Sequence, residues 1–419
     1  MLFSYVSKSL IMRHYFIIFF LFLSLRAAAA VDSVGVAIVQ RLDSLCQDSL
    51  LTHSQLGLVV YDLTDDTLLY AHNEQQLMRP ASCQKVFTAI AALHYLGTDY
   101  DFTTSLYRKG EIKDNRLEGD LVVRAGFDPL FSAADMQQFV ATVRSSGVRS
   151  VTGGILLDLS VKDTLSRGAG WCWDDDDKLL SPLYYNGKLN FATELKRQLK
   201  AAGINVKGRT RMVRTMPSDA RLLCHVRRPI AEVLKPMMKE SDNLCAESVF
   251  YQLAARQGRP YASATDAIDH IEALTDSLGC NPKHYKVADG SGLSLYNYST
   301  PQLFAAYLRY AYTHPSLFAA LNESLPIAGV DGTLKKRMRS TLSYDNVRAK
   351  TGSVTAVSTL AGYCIAPNGH YLCFAIMNQG LIRASHGRAF QDRVCAALTT
   401  PLVTIPAPLL PPEDSLLLP

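Results

Sequence analysis

The stretch from Pro80 to Leu93, Pro-Ala-Ser-Cys-Gln-Lys-Val-Phe-Thr-Ala-Ile-Ala-Ala-Leu, most constrains the fold. From Val86 onward it is almost wholly apolar. Val86, Phe87, Ile90, Ala91 and Leu93 recur at helical spacing with no breaker before Gly97. A helix apolar over most of its circumference belongs in an interior, so the remaining chain has to wrap around this one. Pro80 stands just ahead of it, as a start signal does. Ser82 and Lys85 are three apart and share a face of the first turn. A lysine at the mouth of a buried helix is partly desolvated, which lowers its pKa. A neutral amine beside a hydroxyl can take its proton. The N–H groups left free at a helix start put that of Ser82 where it can stabilise an oxyanion. The same residues also read as a serine N-cap with an exposed lysine one turn later. A motif this short does not separate the two readings.

With 419 residues, 48% of them hydrophobic and 19% charged, the chain has material for two or three globular domains. Residues 1–30 read as an export signal. Lys8, Arg13 and His14 precede the apolar run Tyr15–Leu25, which is too short to span a bilayer, and Ala27–Ala30 offer a small-residue cleavage site. The alternative is an uncleaved anchor, which the shortness of the run disfavours. This leader holds three cations and no acid, so the formal charge of +5 falls to +2 without it. Such a near-neutral balance argues against nucleic acid as a partner. The nine cysteines include no Cys-x-x-Cys pair and give no support to a zinc site; they read as small core residues.

The texture divides the chain into 31–105 and 225–400 as one domain, 106–224 as an insertion, and 401–419 as a proline-rich tail. Residues 34–51 have the period of an amphipathic helix, and Leu56–Tyr61 and Leu68–Ala71 flank a turn at Asp65-Asp66 as a hairpin. The insertion alternates short β-like runs with turns, and it has helical patterns near 133–146 and 189–202. Its acidic run Asp174–Asp177 reads as a solvated loop, with a calcium site as the alternative. A helical stretch from Ile230 to Gly258 is expected to break near Pro236 and again at Ser241-Asp242-Asn243. Asp289–Ser294 is a glycine-rich loop, and Thr300-Pro301 is a helix start. Residues 348–377 alternate like strands around a hairpin at Asn368-Gly369. A two-residue turn there would set Cys364 opposite Cys373, either as a cross-strand disulfide or as two packed thiols. The tail is neither basic nor amphipathic, so it does not read as a membrane-binding helix.

Two more short motifs follow Ser82-Cys83-Gln84-Lys85 in order. Ser241-Asp242-Asn243 reads as a helix N-cap, or as a proton relay through Ser241 with Asn243 on a substrate amide. Lys350-Thr351-Gly352 reads as an exposed strand end, or as a carboxylate clamp in which Gly352 lets a substrate backbone lie close. Three motifs in this order weigh far more than any one. The chain resembles the penicillin-binding D-alanyl-D-alanine carboxypeptidase/endopeptidases of the penicillin-binding protein 4 type, peptidase family S13. The resemblance runs from about Leu56 to Gly380. It includes Gly119-Asp120-Leu121, Phe127-Asp128-Pro129, the Asp289–Ser294 loop with Tyr296-Asn297, Ala328–Leu334 and Lys350–Tyr363. Two features depart from the family pattern. The stretch between Ser82 and Ser241 is short, as though one of two inserted lobes were missing. And Arg124-Ala125-Gly126-Phe127 stands where a more glycine-rich run is usual.

The resemblance implies an α/β fold of the penicillin-binding transpeptidase-like, or serine β-lactamase-like, type: an antiparallel sheet flanked by helices, with an inserted mainly β domain. It implies acyl transfer to water through a serine ester, acting on the D-Ala-D-Ala end or D-Ala cross-links of peptidoglycan stem peptides, with β-lactam antibiotics as covalent inhibitors. Ser82 would be the nucleophile and Lys85 the base. Ser241 and Lys350 would complete the proton path, Asn243 would orient the peptide, and Thr351, Gly352 and Ser353 would form the carboxylate clamp. The N–H groups of Ser82 and Ser353 would form the oxyanion hole. No cofactor or metal is implied, and the expected location is outside the inner membrane, in the periplasm. Asp128, held out of the helical region by Pro129, either caps its turn or pairs with the cationic end of the stem peptide's diamino acid. A β-lactamase would share the motifs but must deacylate penicillin fast; this sequence shows no glutamate-based water site for that, and the insertion argues against it. A non-catalytic wall-binding module would carry a damaged triad, and a Ser-His-Asp esterase would carry a Gly-x-Ser-x-Gly elbow, which is lacking here.

Overall fold

The computed structural model describes residues 33–172, 175 and 178–401. The leader, most of the Asp174–Asp177 run and nearly all of the tail lie outside the described residues. The chain opens with helix α1 (33–45) and the hairpin β1 (Gln55–Asp62) and β2 (Thr67–His72), then reaches α2 (Gln84–Tyr95). The insertion follows: β3 (Asp101–Lys113), β4 (Arg116–Arg124), α3 (Ala133–Ser145), β5 (Ser150–Val151), β6 (Ile155–Asp158), α4 (Phe191–Ala201), β7 (Asn205–Val206), β8 (Thr210–Val213) and β9 (Arg221–Pro229). Next come the helices α5 (Ile230–Lys239), α6 (Asn243–Ala255), α7 (Ala264–Ser277), α8 (Pro301–Tyr312) and α9 (Pro315–Ser324). The strands β10 (Arg348–Val354), β11 (Val357–Ile365) and β12 (Tyr371–Gln379) and the closing helix α10 (Ala384–Thr399) complete the fold.

Five antiparallel strands form the main sheet in the order β10-β11-β12-β1-β2. Its central strands are covered on both faces, so they read as continuous apolar runs; β1 is buried from Leu56 to Asp62. On one face, Ala361, Tyr363, Cys373, Ala375 and Met377 meet the helices. On the other, Leu360, Cys364, Leu372, Phe374 and Ile376 meet α1 and α10. Helix α2 is buried from Gln84 to Leu93, as its composition requires. Phe87 stacks on Phe304 with centroids 4.3 Å apart and meets the edge of Tyr307 at 4.8 Å. Each such side chain contributes about 1.5–3 kcal/mol by leaving water.

The Asn368-Gly369 hairpin corrects the expected register. Ala366 N donates to His370 O and Gly369 N to Ala366 O, both at 2.9 Å, so Pro367-Asn368-Gly369 form a three-residue loop with Gly369 at φ +84°. Cys364 therefore pairs with Leu372, and Tyr363 with Cys373. A slip of one residue reverses the face of every side chain. The two cysteines point to opposite cores, and both are free thiols.

The insertion has a mixed sheet, β7-β5-β4-β3-β9, with β6 pairing β4 and β8. Helices α3 and α4 close it over Phe131, Phe139 and Phe191, whose rings lie 4.9–6.4 Å apart. Its sheet reaches from Asp101 to Pro229. It docks on the helical core through Phe127, Leu180 and Tyr184, and Gln252 Nε2 donates to Gly126 O at 2.8 Å. The expected break near Pro236 is absent: α5 runs through it. One missing N–H late in the helix is outweighed by the buried Val233, Leu234, Met237 and Met238. The chain breaks only at Ser241, with φ +61°.

Candidate active site

Ser82 sits in a 3-10 turn, Ala81–Cys83, immediately before α2. Ala81 is held at φ +47°, an uncommon conformation for a residue with a Cβ. The turn is fixed from the sheet side, where Thr359 Oγ1 donates to Pro80 O at 2.7 Å and Cys83 Sγ to Lys350 O at 3.1 Å. No side-chain cap bond is made at the start of α2, so the N-cap reading of Ser82 does not describe it. Lys85 is 0% exposed rather than a surface lysine. Its Nζ donates to Ser82 Oγ at 3.1 Å, to Asn243 Oδ1 at 2.6 Å and to Ser291 O at 2.7 Å.

The second motif arrives at the junction of α5 and α6. Asp242 caps α6 by accepting from Cys245 N at 2.8 Å, which leaves Ser241 outside the helix in the left-handed region and Asn243 at its first turn. Lys350, on β10, is also 0% exposed. Its Nζ donates to Ser241 Oγ and Thr351 O, each at 2.8 Å. Burial, with the charge of Lys85 as a second cause, pushes Lys350 down to about 7. The structure thus assembles two serine hydroxyls, each against a buried lysine, from elements far apart in the chain.

Thr351 Oγ1 donates to Thr333 Oγ1 at 2.8 Å, and Ser353 is exposed beyond it. Gly352 is required by the packing of the chain itself. A Cβ there would lie 2.7 Å from Pro80 O, 2.9 Å from Cys83 N and 2.2 Å from Thr359 Oγ1. The glycine makes room for the turn that carries Ser82. The loop before β10 is tied to α5: Lys239 Nζ reaches Asp331 Oδ2 at 2.6 Å, and Ile327 N donates to Asp331 Oδ1 at 2.9 Å.

Asp128 is placed apart from this group. Its Oδ1 accepts from Leu130 N at 2.8 Å, so it does cap its turn. Arg228 Nε lies 3.5 Å from Oδ2, which accepts no hydrogen bond, and the side chain is 1% exposed. Burial pushes Asp128 up to about 6 against the opposing pull of the Leu130 N–H and Arg228.

Reading the motifs one by one overlooked the Asp289–Ser294 loop as part of the site. Asp289 accepts from Gly292 N, Ser294 N, Asn297 Nδ2 and, from the insertion, Trp171 Nε1, all at 2.7–2.8 Å. Gly292, at φ +81°, lies so close to the Ser82 turn that a Cβ would stand 1.9 Å from Ala81 O. Glu247 holds this loop by accepting from Ser291 N at 2.8 Å and Gly290 N at 3.1 Å, and its spacing four residues after Asn243, on one face of α6, was the available signal.

The sequence profile of the D-Ala-D-Ala carboxypeptidase 3 (S13) family matches residues 38–183 and 178–400. The chain belongs to that family. It is 26% identical to the D-alanyl-D-alanine carboxypeptidase DacB of Haemophilus influenzae, over 77% of this chain and 84% of that one. It is 30% identical to the carboxypeptidase DacB of Mycolicibacterium smegmatis, over 83% and 82%. Among solved structures, penicillin binding protein 4 of Haemophilus influenzae superposes with a TM-score of 0.77 at 25% identity, covering 85% of this chain and 98% of the other. The same relative in complex with a β-lactam superposes with a TM-score of 0.71. The transpeptidase-like fold with an inserted domain is therefore that of these relatives.

Proposed function

We propose that the chain cleaves the D-Ala-D-Ala terminus, or D-Ala cross-links, of peptidoglycan stem peptides through an acyl-enzyme on Ser82. The observation that carries this reading is the pair of contacts Lys85–Ser82 at 3.1 Å and Lys350–Ser241 at 2.8 Å around one nucleophile turn. Ser82 Oγ attacks the carbonyl carbon of the penultimate D-alanine and passes its proton to Lys85. The oxyanion forms between the N–H groups of Ser82 and Ser353. As the C–N bond breaks, the departing amine takes a proton by way of Ser241 and Lys350. A lysine near 7 is suited to such a relay, because it both holds and releases a proton at neutral pH. Water then attacks the ester carbonyl, giving its proton by way of Ser241 to Lys350; as the bond from Ser82 Oγ to the acyl carbon breaks, Lys85 returns its proton to Ser82 and the acid product leaves. Asn243 keeps Lys85 aimed through its Oδ1, and Thr351 and Ser353 receive the terminal carboxylate.

A β-lactam presents its ring carbonyl to the same serine, and the β-lactam complex of the Haemophilus relative supports inhibition by that route. We read the leader as directing export to the periplasm, where such a substrate lies. Among the described residues no helix is long and apolar enough to cross a membrane. Asp128 extends the substrate reading. Its buried Oδ2 faces Arg228 Nε at 3.5 Å, so to accept from the stem peptide's free ammonium it would have to exchange that partner. Comparing Asp128→Asn on free-amine and acetylated substrates separates this from a purely structural role. The main test is labelling with a fluorescent penicillin, followed by digestion of purified muropeptides. A stable adduct, together with loss of terminal D-alanine or separation of cross-linked dimers, supports the reading. Fast turnover of penicillin with muropeptides untouched would assign a β-lactamase instead.

A further inference from the structure

Glu247 lies on α6 one turn after Asn243 and is 1% exposed. The steps above leave it without a task. Its Oε1 accepts from Ser291 N at 2.8 Å and from Gly290 N at 3.1 Å. The carbonyl of that same Ser291 accepts from Lys85 Nζ at 2.7 Å. Helix α6 therefore reaches Lys85 twice, directly through Asn243 Oδ1 and indirectly through Glu247 and the Ser291 peptide. Thr88 Oγ1 holds the neighbouring carbonyl, Gly290 O, at 2.8 Å, so the peptide unit between Gly290 and Ser291 is fixed at both ends.

We propose that Glu247 is a positioning residue for acylation: it sets the height of the Ser291 carbonyl and so aims the Lys85 amine at Ser82. It does not touch the reacting atoms. Burial, reinforced by the neighbouring Asp289 charge, pushes Glu247 up to about 8. At neutral pH it is mostly the uncharged acid, which still accepts two N–H bonds but adds no negative charge to hold Lys85 protonated. A shift of the loop by a fraction of an ångström is enough to weaken a proton transfer that depends on a 3.1 Å contact.

The inference rests on Lys85 being the base, and the experiment keeps the two ideas separable. Stopped-flow acylation of the full chain by a fluorescent penicillin gives the binding constant and the acylation rate independently. If the parent forms no adduct, the acyl-serine reading itself fails. If the parent reacts, Glu247→Ala is expected to lower the acylation rate at least tenfold with binding changed less than twofold. Glu247→Gln, which keeps the acceptor and is permanently neutral, is expected to stay within threefold of the parent at pH 7. Glu247→Asp, shorter by one methylene, covers the case in which the alanine variant does not fold, and it is expected to lose at least fivefold in rate. Parent-like rates in the aspartate or alanine variant would overturn the inference, as would a glutamine variant as slow as the alanine one.

Discussion

Replacing Lys350 with methionine, a side chain of similar length without the charge, should disable the enzyme and stabilise the fold at neutral pH. The unfolded lysine titrates near 10.5, and burial brings the folded one to about 7. At about 1.4 kcal/mol per pH unit, that difference is on the order of 5 kcal/mol against the charged form. The folded pKa is depressed for a base. Between pH 7 and 10.5 the unfolded chain therefore binds a proton that the folded one does not, and parent stability rises with pH across this window. Methionine removes the penalty but also the bonds from Nζ to Ser241 Oγ and Thr351 O, at about 1 kcal/mol each. The variant should thus be more stable than the parent by about 2–3 kcal/mol at pH 7. By pH 9.5 most of the lysine penalty has gone, and its advantage should shrink by about 3 kcal/mol. Urea unfolding of both proteins at the two pH values measures this, and other titrating groups cancel in the difference. An equal gap at pH 7 and pH 9.5 would show that Lys350 is not held neutral by burial. Acylation by penicillin, measured alongside, should be lost.

In the parent, the acylation rate should fall as pH rises above about 7, because Lys350 then loses the proton that it passes through Ser241 to the departing amine; a flat profile from pH 6 to 9 would contradict this. Ser82→Ala should fold with an unchanged circular dichroism spectrum and give no penicilloyl mass increment. Gly292→Ala should slow acylation at least tenfold, because its Cβ would stand 1.9 Å from Ala81 O at a backbone φ of +81°. Peptide mapping without reduction should return Cys364 and Cys373 as separate thiols, since they face opposite cores.

The sequence carried the site wherever chemistry needs particular residue types at short range. Ser82 with Lys85, Ser241 with Asn243, and Lys350 with Thr351 could each be found as a local motif, and α2 declared its burial by composition. What stayed hidden depended on backbone conformation or on distant packing. The Asn368-Gly369 register turned on whether the loop has two residues or three, which is decided by Gly369 alone entering the left-handed region. Strands β3 and β9 were only partly visible because their polar residues obscure the alternation. The close approach of Pro80 and Cys83 to Gly352 was not legible because that segment lies some 270 positions earlier. Pro236 was overweighted, since a local rule could not include the four apolar side chains that hold α5 in place.

The insertion leaves and rejoins the main domain through neighbouring strands: Asp101 stands opposite Pro229, and Ile230 N donates to Tyr100 O at 2.8 Å. Topologically the whole lobe hangs from one point, like a long hairpin loop on a completed scaffold. Its length can vary, or it can be exchanged for another lobe, without rethreading the five-stranded sheet or moving Ser82 relative to Lys350. What would suffer on excision is the face it covers. Phe127, Leu180 and Tyr184 would no longer shield the helices, Gln252 would lose its acceptor at Gly126, and Asp289 would lose Trp171. A trimmed protein joined from Tyr100 to Ile230 would therefore need a repainted, polar helical surface more than a new connection.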